Sequence, residues 1–144
     1  MFIPGVAKPK QRARVTKAGF SFTPKATVQA EALVRLAYKQ QYPDAPLFDG
    51  PVRLFVLVLR DGPTAPRWLA EYVARNETPF TSRPDWDNLG KLVSDALNQV
   101  AWHDDAQIFD ARIVKRRCLG NEVPGTQITI EHCPELVPTK GERG

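Results

Sequence analysis

The segment "GPVRLFVLVLRDG", residues 50–62, constrains the fold more than any other stretch of this chain. Gly50-Pro51 and Asp61-Gly62 are turn formers, and between them β-branched and aliphatic side chains fill both alternating sets. That is the pattern of a strand in the middle of a sheet, covered on two sides. The run is too short to span a bilayer, and Arg53 interrupts it, so no membrane association is expected. A central strand needs neighbours. "AQIFDARIVKRRC" (106–118) alternates Phe109, Ala111 and Ile113 with Asp110 and Arg112, and "TQITIEH" (126–132) turns Ile128 and Ile130 inward. Another short strand is expected near "FSFT", residues 20–23.

Between these strands the apolar period changes to that of a helix. In "KATVQAEALVRLAYKQQY" (25–42) the residues Val28, Ala32 and Leu36, with Leu33 and Ala37 beside them, share a face that is expected to turn inward; Pro43 lies just past the end. "TAPRWLAEYVARNE" (64–77) reads as a short helix with Trp68, Leu69, Tyr72 and Val73 as its stripe. A second long helix is predicted over Asp87–Val100, burying Leu89, Leu92, Val93, Ala96 and Val100. Strands and helices alternate without a repeat, which predicts an α+β, two-layer sandwich: a small mixed sheet packed against helices. One domain is expected over residues 1–134, followed by a flexible tail, 135–144, since 144 residues can bury a core without disulfide or metal staples. Cys118 and Cys133 lack metal-ligand spacing and read as free thiols, and the N-terminal residues lack the apolar core of a secretory signal, so a cytoplasmic location is expected.

Charge is distributed unevenly. Residues 1–42 hold eight cations (Lys8, Lys10, Arg12, Arg14, Lys17, Lys25, Arg35 and Lys39) against Glu31, a balance of +7, whereas the whole chain carries +4 and the remainder therefore -3. A basic front suits a polyanion, because each Lys or Arg placed at a phosphate releases a counterion. A solvated basic surface with no partner would look the same.

The acids concentrate in "RPDWDNLGKLVSDALNQVAWHDDAQIFD", residues 83–110. In extended backbone Asp85 and Asp87 would leave the same side about 7 Å apart, able to converge on one hard cation such as Mg²⁺ or Mn²⁺. Asp104-Asp105 could supply a further acid only through a tertiary contact. The plainer reading is that Asp85 or Asp87 caps a helix, that Asp87 and Lys91 form an ordinary i,i+4 pair and that His103-Asp104-Asp105 is a turn. With a basic arm in the same chain, the cluster points instead to metal-dependent phosphodiester hydrolysis, in which the metal activates water and neutralises charge on phosphorus.

At residues 85–108, "DWDNLGKLVSDALNQVAWHDDAQI", the chain resembles the RusA-type Holliday junction resolvases, whose pattern is D-x-D-N-L-x-K, then D-A-L, then D-D-A-Q-[IV]. Every element is present, and "GVAKPKQRARVTKAGFSFTPKAT" resembles the family's basic entry segment, so the similarity runs to about Glu131. The stretch before Pro4-Gly5 is shorter than is usual there, which fits either a short first strand or a misplaced start codon. The resemblance implies a Mg²⁺-dependent endonuclease, with Mn²⁺ able to substitute, that acts as a homodimer and nicks two opposed strands of a four-way junction. Members occur in bacteria, phages and prophages. It implies that Asp85, Asp87 and Asp105 bind metal, with Asp104 as an additional candidate, and that Lys91 is the catalytic lysine. Asp95 of the D-A-L element reads as structural, and Trp86 as a packing or DNA-facing residue. Lys8, Lys10, Arg12, Arg14, Lys17, Lys25 and Arg83 are the DNA-binding candidates, with Arg75 a weaker one. A branched-DNA or flap nuclease of broader specificity would share these residues, and a non-enzymatic DNA-binding recombination accessory protein remains a third reading.

If the basic arm lies on DNA, changing Lys10, Arg12 and Arg14 to Ala is predicted to weaken binding and to reduce the slope of log affinity against log salt by roughly 0.9 for each lost phosphate contact. Anisotropy titrations over a salt series measure that slope, and an unchanged value removes the arm from the interface.

Overall fold

The computed structural model describes residues 1–5, 14–15, 21–22, 25–60, 79–118 and 121–137, the side chains of residues 14, 15, 21, 22, 25 and 26 excepted. The elements in chain order are β1 (Phe2–Pro4), β2 (Arg14–Val15), β3 (Ser21–Phe22), α1 (Lys25–Gln41), β4 (Val52–Arg60), α2 (Trp86–Leu97), a 3₁₀ turn (Asp105–Gln107), β5 (Ile108–Arg117), β6 (Gly125–His132) and a second 3₁₀ turn (Pro134–Leu136). The helix expected over 64–77 lies outside the described residues.

β4 is central, as its composition requires. The sheet order is β1-β6-β4-β5, with β4 parallel to β5 and antiparallel to β6, while β2 and β3 form a separate two-stranded ribbon. The main sheet is therefore mixed, and both helices contribute side chains to the core it shares. Val52, Leu54, Val56 and Val58 project from β4 to meet Val34 and Tyr38 of α1 and Leu89, Val93, Ala96 and Leu97 of α2, with Ile128, Phe80, Ala101 and Trp102 completing the cluster. Each Val, Leu, Ile or Phe among them contributes about 1.5–3 kcal/mol on leaving water. This is the small α+β fold expected.

Two expectations of burial are corrected. On β4 only the even-numbered set packs wholly against the helices; Arg53, Phe55 and Leu57 on the other face are half-buried, and of that set Leu59 alone is buried. Polar side chains lie across this second face. Arg53 pairs with Asp110 of β5 at 3.2 Å and Glu131 of β6 at 3.4 Å, and the Arg112 guanidinium lies 5.6 Å from the Phe55 ring. Long side chains can shield apolar surface with their stems while keeping their heads in water.

On α1 the inward face is the neighbouring one. Val28, Ala32, Leu33 and Leu36 are exposed, while Thr27, Val34 and Tyr38 are buried. Both stripes of this helix carry apolar residues, so periodicity alone does not choose between them. Tyr38 and Arg35 do: Tyr38 supplies the larger buried ring, and Arg35 donates from Nε to the Ala96 carbonyl of α2 at 3.3 Å. α2 itself stops at Leu97, three residues before the expected end, because Gln99 adopts φ 59° and the chain turns back, with the Gln99 N–H donating to Trp102 O at 2.7 Å. That turn delivers Trp102 to the core with no exposed surface.

β1, three residues long, pairs antiparallel with β6 and runs close against it at Gly125. A Cβ added at Gly125 would lie 2.6 Å from the Ile3 carbonyl oxygen and clash with the Phe2 ring. Cys118 and Cys133 are thiols not joined in a disulfide, and among the described residues no helix is long and apolar enough to cross a membrane. Gly125→Ala is predicted to destabilise the protein by about 1–3 kcal/mol through this overpacking, read as a lowered midpoint in thermal denaturation. An unchanged midpoint would mean that β1 contributes little to stability.

Candidate active site

α2 is two-sided. Leu89, Leu92, Val93, Ala96 and Leu97 are buried, whereas Asp87, Lys91 and Ser94, at spacings of four and three, share the opposite side. That side borders an open groove of about 490 Å³. Trp86, Asp87, Gly90, Lys91 and Ser94 form one wall, and Asp105, Ile108, Ala111 and Ile113 with Leu54 form the other. Residues 18 positions apart in sequence, Asp87 and Asp105, thus face one space. Among the described residues no ion pair joins Asp87 to Lys91, and Lys91 is exposed.

Asp85 occupies the N-cap of α2 with extended backbone, and its side chain makes no capping hydrogen bond. Asp-Trp-Asp is therefore not an extended triplet: Asp85 precedes the helix and Asp87 lies in its first turn, where the unpaired backbone N–H groups favour negative charge. Asp85 is exposed and lies outside the groove lining, as does Asp95. Trp86 is 66% exposed, so it is not a packing residue.

The opposite carboxylates divide their work. The Asp104 side chain caps the 3₁₀ turn, accepting from the Ala106 N–H at 2.9 Å. That N–H, and secondly a side-chain hydrogen bond with Asp105, holds the Asp104 carboxyl below its ordinary value, against the opposing effect of desolvation. Asp105 is the member of the pair that lines the groove.

Among the described residues no three His, Cys, Asp or Glu side chains form a ready-made metal cage. The donor chemistry nonetheless fits a hard divalent cation: Asp87 and Asp105 offer oxygen only, the groove is open to water, and neither thiol nor imidazole lines it. Of the acidic candidates, Asp87 and Asp105 are the two that line the groove and would hold it, while Asp85 lies outside the lining.

The entry to α2 is fastened by residues that the sequence reading did not single out. Phe80, buried at 3% exposure, lies under both the Arg60 guanidinium (4.6 Å to the ring centre) and the Lys115 ammonium (4.9 Å). Arg60 donates to Ser82 Oγ at 3.0 Å and to the Arg83 carbonyl, and Lys115 donates to the Ser82 carbonyl at 2.8 Å. Arg83 is exposed beside them. The only sequence signal was an aromatic residue in a loop facing "KRR" of β5. Of the other DNA-binding candidates, Lys8, Lys10, Arg12 and Lys17 lie outside the described residues, as does Arg75, and Arg14 and Lys25 are described in backbone alone.

A small mixed sheet with helices on one face and an acid-and-lysine groove along the crossover helix is a frame suited to phosphodiester chemistry. The family model described as "Endodeoxyribonuclease RusA" matches residues 4–131, and the chain belongs to that family of nucleases. It is also 33% identical over 100 residues, 67% of this chain and 68% of its counterpart, to the uncharacterized protein YqaN of Bacillus subtilis (strain 168).

Phe80→Ala is predicted to cost about 3–5 kcal/mol, the usual loss for truncating a buried aromatic ring, because it also leaves Arg60 and Lys115 without the surface they lie on. Denaturant unfolding measures this, and a loss below 1 kcal/mol would show that the α2 entry is held by its hydrogen bonds alone.

Proposed function

We propose that the protein is a divalent-metal-dependent endodeoxyribonuclease that resolves four-way DNA junctions, nicking two opposed strands as a homodimer. The observation that carries this reading is the groove in which Asp87 and Lys91 of α2 meet Asp105 from the turn before β5, in a chain of the RusA endodeoxyribonuclease family. The preferred cation is Mg²⁺, with Mn²⁺ as a substitute, since all the candidate ligands are carboxylates.

In this reading Asp85, Asp87 and Asp105 bind and orient the cation at the groove, and Asp104 shapes the turn that carries Asp105. A bound divalent cation supplies charge neutralisation at the reacting phosphate and acidifies an attacking water. Lys91, one turn beyond Asp87 on the same side of α2 and in the groove lining, in this reading orients the scissile phosphate and stabilises charge on the non-bridging oxygens. Trp86, exposed at the rim, offers a flat apolar surface to a nucleotide. Arg83 and the basic arm, Lys8, Lys10, Arg12, Arg14, Lys17 and Lys25, contact the backbone away from the break. An isologous dimer explains paired nicks, because its two-fold axis sets two identical sites against the near-symmetric arms of a junction.

The test is Mg²⁺-dependent cleavage of a labelled synthetic four-way junction beside linear duplex and flap DNA. Wild type is expected to give paired symmetric nicks on the junction. Asp85→Asn, Asp87→Asn and Asp105→Asn are expected to abolish cleavage while retaining binding, because removing negative charge near phosphate does not weaken attraction. Lys91→Ala is expected to slow cleavage by roughly 10²- to 10³-fold. Equal cutting of all substrates would replace the resolvase reading with a general nuclease, and binding without cutting would point to an accessory protein.

A further inference from the structure

The turn that carries Asp105 has almost nothing to bury. His103, Asp104, Asp105 and Ala106 are all exposed, so apolar packing anchors this segment only at its flanks, through Trp102 and Ile108. Between those flanks hydrogen bonds hold it, and one side chain makes four of them. Gln107 Oε1 accepts from the backbone N–H of His103 at 2.9 Å and of Asp104 at 3.0 Å, while Nε2 donates to the carbonyls of Phe48 and Gly50, each at 2.8 Å. Both ends of the amide are fully used. The orientation is unambiguous, since the flipped amide would set N–H against N–H and oxygen against oxygen.

The anchor on the far side is itself fixed. Phe48 donates from its backbone N–H to the Ala101 carbonyl at 2.8 Å, and its ring lies 5.0 Å from that of His132. Gly50 is joined to β4 by Pro51 alone. His103 Nε2, 2.7 Å from Asp49 Oδ1, adds a second tie between the same two segments, but an exposed one. Gln107 thus joins the approach to the central strand, where Phe48 packs against the core, to an acidic turn whose residues 103–106 are exposed.

We propose that Gln107 is a positioning residue that holds Asp105 in register with Asp87 across the groove and so sets the affinity of the site for a divalent cation. This inference rests on the metal-site reading above. Its chemistry is specific to glutamine. Asn lacks the reach to span from the turn to Phe48 and Gly50. Glu keeps both acceptor contacts but turns an oxygen toward two carbonyl oxygens, and Leu keeps the volume while losing all four bonds. Residues that orient metal ligands without touching the metal commonly change affinity by roughly 10- to 100-fold when replaced.

The experiment is titration of the full chain with Mn²⁺, counting free ion by its paramagnetic resonance signal, for wild type, Gln107→Leu, Gln107→Glu, Asp87→Asn, Asp105→Asn and Val34→Ala. Val34 is buried on α1, outside the groove lining, and serves as a variant destabilised elsewhere. Both Gln107 variants are expected to bind Mn²⁺ at least roughly tenfold more weakly than wild type. Val34→Ala is expected to bind as wild type does. Affinity for junction DNA should stay within twofold, and the cleavage lost at low Mg²⁺ should return as Mg²⁺ is raised. If Gln107→Leu does not fold, Gln107→Glu carries the test. Wild-type Mn²⁺ affinity in a folded Gln107 variant overturns the proposal and leaves the metal site standing, and equal weakening in Val34→Ala also overturns it. Unchanged binding in both Asp87→Asn and Asp105→Asn would remove the metal-site reading itself, and the role of Gln107 with it.

Discussion

The molecule depends on the parallel pairing of β4 with β5. Parallel strands cannot be joined by a hairpin; the chain must leave at the end of β4, cross one face of the sheet and re-enter at the start of β5. α2 is part of that crossing, and its apolar stripe covers the even-numbered residues of β4. The same geometry leaves Asp87, Lys91 and Ser94 on the outer side of the helix, along the flank of β5. It also requires a turn between Leu97 and Ile108, and that turn carries Asp105. The groove is thus a consequence of the crossover, with one wall from the helix and the other from the strand it leads to.

Charge follows the same division. α2 has an acid in its first turn, where the helix N-terminus favours it, and no basic residue of its own in its last turn. Arg35 of α1 supplies that cation from a neighbouring element. At the opposite end Phe80 carries Arg60 and Lys115 on its ring, so the entry of α2 is cationic while the groove beside it is acidic. Substrate phosphate approaching such a surface meets attraction at the rim and needs a counterion in the middle. A polyanion-binding protein with an acid-lined groove has a physical reason to recruit a divalent cation.

Much of this was legible in the sequence, for identifiable reasons. The double-sided apolar run of β4 announced a central strand, and a clear stripe from Leu89 to Ala96 announced α2. The groove residues Asp87, Lys91 and Asp105 stood out because they form part of a compound pattern whose elements keep their separation. Burial on α1 was not legible, since two adjacent stripes are both apolar and only packing against the sheet and α2 distinguishes Val34 and Tyr38 from Val28 and Leu36. The end of α2 was missed because nothing local to Gln99 forbids another turn of helix. What stops it is the burial of Trp102, a tertiary effect. Gln107 and Phe80 were overlooked for a different reason: their importance lies in partners 20 to 59 positions away, and a single sequence does not display such pairs.

The two tryptophans of the described residues lie in opposite surroundings. Trp102 has no exposed surface, whereas Trp86 stands mostly in water between Asp85 and Asp87. An indole in the core emits toward the blue and one in water toward the red, so of these two rings it is Trp86, at the lip of the groove, that gives the redder emission. The molecule therefore carries its own optical gauge: what enters beside Asp87 changes the water around Trp86, and the light it emits registers the arrival without a label.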